Sequence, residues 1–271
     1  MILLNIVSLV ALASAILMLM LSTGSTGVDR SLRFREASQA AVLARAGEMS
    51  AITALRRDAE EAPGSDHAAE PWAKVIEREA AIEGGIFTLS ISDAQARFNV
   101  NNLGQDALFS AAAAAPFLSA LRIDPAVATR IAAAIREGGP LLRLSQLREL
   151  GIEDEMIARL APLITFLPRP TPINLNSASE DLLALLFGNP AAAQMIVAQR
   201  RRVGFVTAAD LASFGLSVPP GAGFTSNHFW VRTTVTIGET PQTLTSLLFR
   251  TMREGQPEVV TLGRWRGVSR L

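Results

Sequence analysis

From Met1 to Leu21 the chain carries no charge, and Asn5, Ser8 and Ser14 are the only polar side chains in that run. At about 1.5 Å of rise per residue, a helix of this length spans roughly 30 Å, the thickness of a bilayer's hydrocarbon core. The run predicts a transmembrane helix over residues 1–22. Beyond Thr23-Gly24-Ser25-Thr26-Gly27, a glycine-softened joint, the helical pattern resumes with a different character. Leu32, Ala37, Ala40, Ala41, Ala44, Met49, Ile52 and Leu55 recur at three- and four-residue steps, with arginines and acids between them. An amphipathic stem therefore continues out of the membrane helix, and the remaining chain must pack on its apolar stripe.

The small residues Ala37, Ala40, Ala41 and Ala44 let a neighbouring helix approach closely. With Ile6, Leu9 and Ile16 nearer the start, they make up the expected partner-binding face of the stem. A cleaved signal peptide is the competing reading of residues 1–22. The apolar run is longer than the usual core of such peptides and has no basic leader, although Ser22-Thr23-Gly24 would suit a cut. Arg30, Arg33 and Arg35 follow the span and nothing basic precedes it, which taken literally leaves the bulk of the chain in the cytoplasm. A short basic leader ahead of this start would remove that conflict.

A chain of 271 residues with 49% apolar content can build one large domain or two small ones. Its formal net charge of +0 draws it to neither nucleic acid nor anionic lipid. The absence of cysteine excludes disulfides, thiolate zinc sites and thiol nucleophiles.

Pro63-Gly64-Ser65-Asp66 reads as a turn, and Trp72 to Glu83 as a short helix ending at Gly84-Gly85. Phe87, Leu89 and Ile91 then alternate with hydroxyls, the mark of a half-buried strand over residues 86–92. Asp93 to Leu103 follows as a polar, asparagine-dense turn. Residues 107–225 read as all helix and contain an imperfect repeat: helix Pro125–Arg136 with Gly139 to Ile152 behind it, and helix Pro190–Arg202 with Val203 to Leu216 behind it. Pro168, Pro170 and Pro172 separate the copies, and Ser177 with Glu180 forms an expected capping box for the second. From Asn227 the period returns to two. Strands over Phe229–Ile237, Thr243–Thr251 and Val259–Trp265 form an antiparallel meander. The fold expected is α+β. A membrane and stem helix (1–22, then 23–106 with the first strand) packs on a small antiparallel sheet completed by 226–271. An all-α domain, 107–225, is inserted between its strands.

Nothing in the chain has the arrangement of a catalytic centre. His67 and His228, the only histidines, read as surface residues, no serine sits in a nucleophile elbow, and Gly138-Gly139-Pro140 lacks the lysine of a phosphate loop. No catalytic residue is assigned and no enzyme is expected. The helical repeats resemble helix-hairpin-helix units, which usually bind DNA through backbone N–H groups at a glycine-rich turn. Here Phe187-Gly188-Asn189-Pro190 places a proline at that turn, and Ile123-Asp124-Pro125 adds a carboxylate. These turns suit packing better than phosphate binding, so nucleic acid is not an expected partner. Arg200 to Arg202 keep open the alternative of a membrane-tethered, competence-type DNA receptor.

Three stretches together resemble a known family. They are the apolar helix running into its stem; Ile91-Ser92-Asp93 with Arg97-Phe98-Asn99-Val100-Asn101-Asn102-Leu103; and Leu160-Ala161-Pro162 with Ile173-Asn174-Leu175-Asn176-Ser177-Ala178. The chain is similar over nearly its whole length to protein K of the type II (general) secretion pathway, a minor pseudopilin. The resemblance implies an inner-membrane anchor, a periplasmic pilin-like domain carrying a large helical insert, and processing by a prepilin peptidase. It also implies a place at the tip of a short pseudopilus beside the minor pseudopilins I and J, capping its growth. No acid precedes Asp29, which suits a subunit with none above it. Family members can bind calcium through acidic loops, but Ala132 to Pro140 stands where those acids are expected and carries neither Trp nor Asp. No cofactor and no metal ligand is therefore assigned.

Overall fold

The computed structural model of the chain describes residues 2–75, 77–104, 118–121 and 123–267, leaving out the side chains at 3–5, 8, 19–27 and 77. The expected helix at 107–117 lies outside the described residues.

One long helix, α1 (Ile2–Glu61), runs unbroken through the glycine joint over 60 residues. No proline interrupts it, and the joint's two glycines, Gly24 and Gly27, cost it only about 1 kcal/mol each. Among the described residues no helix is long and apolar enough to cross a membrane. Several side chains of the expected span are outside that description.

A short helix α2 (Pro71–Lys74) follows, then strands β1 (Glu77–Ile82) and β2 (Gly85–Asp93). The helix expected over Trp72–Glu83 is therefore wrong in its second half. Residues 77–82 zip onto β2, with Ala80 opposite Phe87 and Ile82 opposite Gly85, so tertiary pairing overrides a weak helical pattern. A five-stranded sheet forms in the order β1-β2-β7-β8-β9, where β7 is His228–Ile237, β8 Thr240–Arg253 and β9 Gln256–Arg266. Every neighbouring pair is antiparallel. β2 pairs with β7 across the whole insert, Leu89 opposite Thr233 and Ile91 opposite Val231. Alternation puts Leu89, Ile91, Phe229, Val231 and Leu248 on the face that receives Ala51, Leu55 and Trp72.

Between β2 and β7 the chain forms β3 (Phe98–Asn99), helices α3 (Pro125–Gly138), α4 (Ser145–Glu149) and α5 (Asp154–Leu160), and strand β4 (Ile164–Thr165). Strand β5 (Ile173–Asn174), helices α6 (Glu180–Phe187), α7 (Pro190–Val203) and α8 (Ala208–Ser213), and strand β6 (Ala222–Gly223) complete it. The insert is not all helix as expected. Phe98 pairs in parallel with Ile164, and Ile173 with Ala222. The prolines at 168, 170 and 172 hold the intervening chain extended, which lets these short pairs tie the two helical repeats to the base of the sheet. Its core is separate and helical, built on Leu147, Ile173, Leu175, Leu182, Leu183, Ile196 and Leu211. The N-cap of α6 is Ser179, accepting from the Leu182 N–H, where Ser177 was expected.

Candidate assembly surfaces

The stem meets the sheet through Ala40, Ala44, Gly47, Ala51 and Leu55, which follow one another at four-, three- and four-residue steps. Ala40 and Ala44 pack on Val235 and Ile237 and are 0% and 2% exposed. A Cβ at Gly47 would lie 2.8 Å from Thr233 Cγ2 and 2.9 Å from Phe87 Cζ, so the helix touches the sheet where it has no side chain. Beside this glycine, Glu48 is buried. Its carboxylate accepts from Ser246 Oγ (2.5 Å), Thr261 Oγ1 (3.0 Å) and the Arg264 guanidinium. Burial alone would push the Glu48 carboxyl up, but these donors outweigh it and hold it below the usual value.

This geometry divides the expected partner-binding residues. Ala40 and Ala44 are covered by the chain's own strands, so they are not a free docking face; the apolar stripe serves the sheet first. Ala37 is half-buried and Ala41 is exposed. Ile6, Leu9 and Ile16 are exposed, as are Phe34 and Val42 at 75% and 70%. Met49, assigned to the stripe by its spacing, also faces outward. It borders a groove of about 600 Å³ between α1 and α2, lined also by Thr53, Arg57, Trp72 and Val75. Outward apolar side chains thus continue along α1 far beyond its contact with the sheet.

A second feature is the polar junction under the insert. The asparagine-dense turn is buried, contrary to its polarity. Asn99 donates to the Leu167 and Arg169 carbonyls and accepts from Leu167 N–H. Asn101 clasps Leu141 at both its N–H and its C=O, and also donates to Leu167. Asn102 does the same for Thr171. Each amide thus supplies a donor and an acceptor to backbone that has no helix or sheet partner. Asn174 is the most connected. It donates to the Asp66 carbonyl, Asp93 Oδ2 and Ser226 Oγ, and accepts from Asn176 N–H. Gln95 donates to the Pro172 carbonyl and accepts from Asn227 and His228 N–H. The motifs that carried the family resemblance are therefore joints.

The histidines are not on the surface. His67 stacks on Phe205 at 4.8 Å. His228 is buried against Phe249, and burial pushes its pKa down to about 4. It is neutral and packs, whereas the His67 ring also meets the Glu70 carboxylate, Nε2 to Oε1 3.4 Å.

Sequence reasoning missed the buried ionic cluster where α1 ends. Among the described residues, Asp58, Asp66 and Glu70 offer oxygens within 4.8 Å of one another, a spacing that could hold a cation. Arg250 already donates to Asp58 and Asp66, which does not suit a metal there. Glu70 accepts from Trp72 Nε1 and His67 N–H. Burial, reinforced by the neighbouring Glu70 charge, raises Asp58 to about 6. The stretch 132–140, where acidic calcium loops were considered, is the end of α3, and Glu137 is its only acid.

The hairpin turns are closed by their own side chains. Asn189 caps α7 by accepting from Ala191 and Ala192 N–H, and Asp124 caps α3 by accepting from Ala126 N–H. Arg200 is spent on the Leu175 and Ala178 carbonyls.

The family profile described as type II secretion system (T2SS), protein K, matches residues 173–229, the span that opens on Ile173-Asn174 and ends inside β7. Curated proteins named type II secretion system protein K are similar in sequence. The one from Pseudomonas aeruginosa is 26% identical over 247 residues, covering 75% of this chain and 74% of that one. The one from Pectobacterium carotovorum subsp. carotovorum is 26% identical over 268 residues, covering 79% and 81%. The fold matches a chain of the GspK-GspI-GspJ complex from the enterotoxigenic Escherichia coli type 2 secretion system. The TM-score is 0.66 at 23% identity, covering 89% of this chain and 100% of that one. By family profile, by sequence and by fold, the family that this chain resembles is type II secretion system protein K.

Proposed function

We propose that this protein is a minor pseudopilin that caps the tip of a type II secretion pseudopilus, working by assembly and without catalysis. The observation that carries the reading is the division of α1. Its C-terminal part is bonded into the sheet, while the part before that contact carries Ile6, Leu9, Ile16 and Phe34 exposed. Such a rod is stable when another apolar phase covers it, first a bilayer and then the stems of partner subunits. On this reading residues 1–22 anchor the chain in the inner membrane as a single span, and the sheet and insert lie in the periplasm. A prepilin peptidase would act near the start.

The solved relative was determined with GspI and GspJ, and the same two kinds of subunit are the partners proposed here. The insert, whose amides at Asn99, Asn101, Asn102 and Asn174 bond its connecting segments, is joined to the end of β2 and the Asp66 loop by side-chain hydrogen bonds rather than by a free linker. It would bar a further subunit from adding above.

The discriminating substitution is Ala41→Glu, because Ala41 is exposed whereas Ala40 and Ala44 are covered by the sheet. Co-purification with the I- and J-type subunits should fall while the thermal midpoint of the isolated protein stays unchanged. Undiminished co-purification would count against docking through this face.

The DNA-receptor reading fares worse on geometry. The N–H groups that a phosphate would need at α3 and α7 are taken by Asp124 and Asn189. A gel shift with the full chain in detergent tests it. Salt-sensitive binding at micromolar protein would revive the receptor.

A further inference from the structure

The face of the sheet turned away from α1 holds a groove of about 540 Å³ where the sheet meets the base of the insert. We propose that this groove binds an acidic, extended segment of a partner protein, held by Arg97 and Arg232 across the sheet's open face. The argument goes beyond the assembly role proposed for the stem, because it uses the opposite face.

Arg97 enters from the turn after β2 and Arg232 stands on β7. Neither makes a hydrogen bond or ion pair among the described residues, whereas Arg200, Arg250 and Arg264 are all engaged. One acid, Asp93, lies on the groove wall, but its oxygens are committed inward. Oδ1 accepts from Gln95 N–H and Oδ2 from Asn174 and Ser226. It bonds neither guanidinium. Trp230 is engaged too, against Trp265 at 5.6 Å and on the small cluster of Ala94, Leu167 and Leu247. What the groove leaves unmet is cationic charge, with the Ser90 and Ser92 hydroxyls set along β2 as further donors. Guanidiniums pair with carboxylates bidentately, so two of them lining one groove at the sheet's open face suit the acidic side chains of an extended partner segment.

The test uses the full chain in detergent with two fluorescein-labelled hexapeptides, one of alternating Asp and Ser, the other of alternating Lys and Ser. Fluorescence polarisation should show saturable binding of the Asp peptide alone. Arg232→Glu and Arg97→Glu should each weaken it by about tenfold. Arg130→Glu, at an exposed arginine of α3, should leave it unchanged. Arg232→Gln, a milder change on an exposed side chain, should weaken it by less than the reversal does.

No binding of the Asp peptide overturns the proposal, and so does an equal loss in Arg130→Glu, which would show that only net charge matters. Displacement of the peptide by a neutral chitin oligosaccharide would assign the groove to glycan. Affinity that rises in a chain ending at Gly267 would assign it to the chain's own tail, and affinity that falls as protein concentration rises would assign it to a second copy. Each of these overturns the acidic-segment reading.

Discussion

Two elements are fastened to the same sheet by opposite means. The stem helix lies on one face through Ala40, Ala44, Gly47, Ala51 and Leu55, with two buried charges, Glu48 and Asp58, each paired to an arginine of the sheet. The insert is rooted at the end of β2 and the start of β7 through side-chain amides, Gln95, Asn99, Asn101, Asn102 and Asn174. A helix satisfies its own backbone, so it needs only shape to dock. The segments around 141 and 167–174 have little secondary structure of their own, so their carbonyls and N–H groups must be met by side chains. The contrast predicts that the insert's joint is the more brittle. Removing one amide strands several buried partners, while shaving the stem leaves only a void.

The sharpest way to break that contrast is Asn174→Ala. It leaves Asp93, Ser226, the Asp66 carbonyl and the Asn176 N–H short of a partner, at a cost of about 4 kcal/mol or more. Urea unfolding should show the loss, and limited proteolysis should open the chain near Pro168–Pro172 first. A variant as stable as the parent would refute the joint.

Gly47→Leu comes next, at about 3 kcal/mol, since the side chain has no room between Thr233 and Phe87. Its effect should spread to stem docking, whereas Asn174→Ala should leave the stem in place. Hydrogen exchange on α1 separates the two.

Glu48→Ala should cost about 2 kcal/mol, less than a fully buried pair because Arg264 is 37% exposed. The Glu48 carboxyl lies below its ordinary 4.5 in the folded state, so its contribution is complete above that value. It is lost as pH falls through the lower folded value, so the variant should flatten the acid limb of a stability–pH curve.

The smallest effect has the opposite sign. Asp58 is raised from 3.8 to about 6, so folding takes up a proton there. The stabilisation is complete below 3.8 and is lost as pH rises through about 6. Facing it are Asp66, Glu70 and Arg250. Asp58→Asn should remove that slope. Thermal midpoints from pH 4 to 7 in both proteins provide the check. An unchanged slope would place the proton elsewhere.

Much of this was legible before any coordinates. Period-two runs marked β2 and β7, and period 3.6 marked the stem, because each pattern records one solvent boundary. The joint was not legible. Asn99, Asn101 and Asn102 look like surface turn residues, since polarity says that a side chain needs hydrogen bonds and not who provides them. His228 was misplaced for the same reason. The acids of the Asp58–Asp66–Glu70–Arg250 cluster are near one another in sequence, but the arginine that holds them lies 192 positions from Asp58, so no local window contains the cluster. The outward face of the stem was half-legible. Periodicity identified a stripe, but the sheet took Ala40 and Ala44 from it and left Ala41 and Met49 outside.

The sequence by itself determined the long apolar-to-amphipathic helix, the alternating strands and the helical insert between them, because those follow from spacing along one chain. Tertiary structure alone decided which face of that helix is spent internally, which polar groups are buried as joints, and which arginines on the far face of the sheet stay unpaired. Those are matters of what lies opposite, and the partners come from far along the chain.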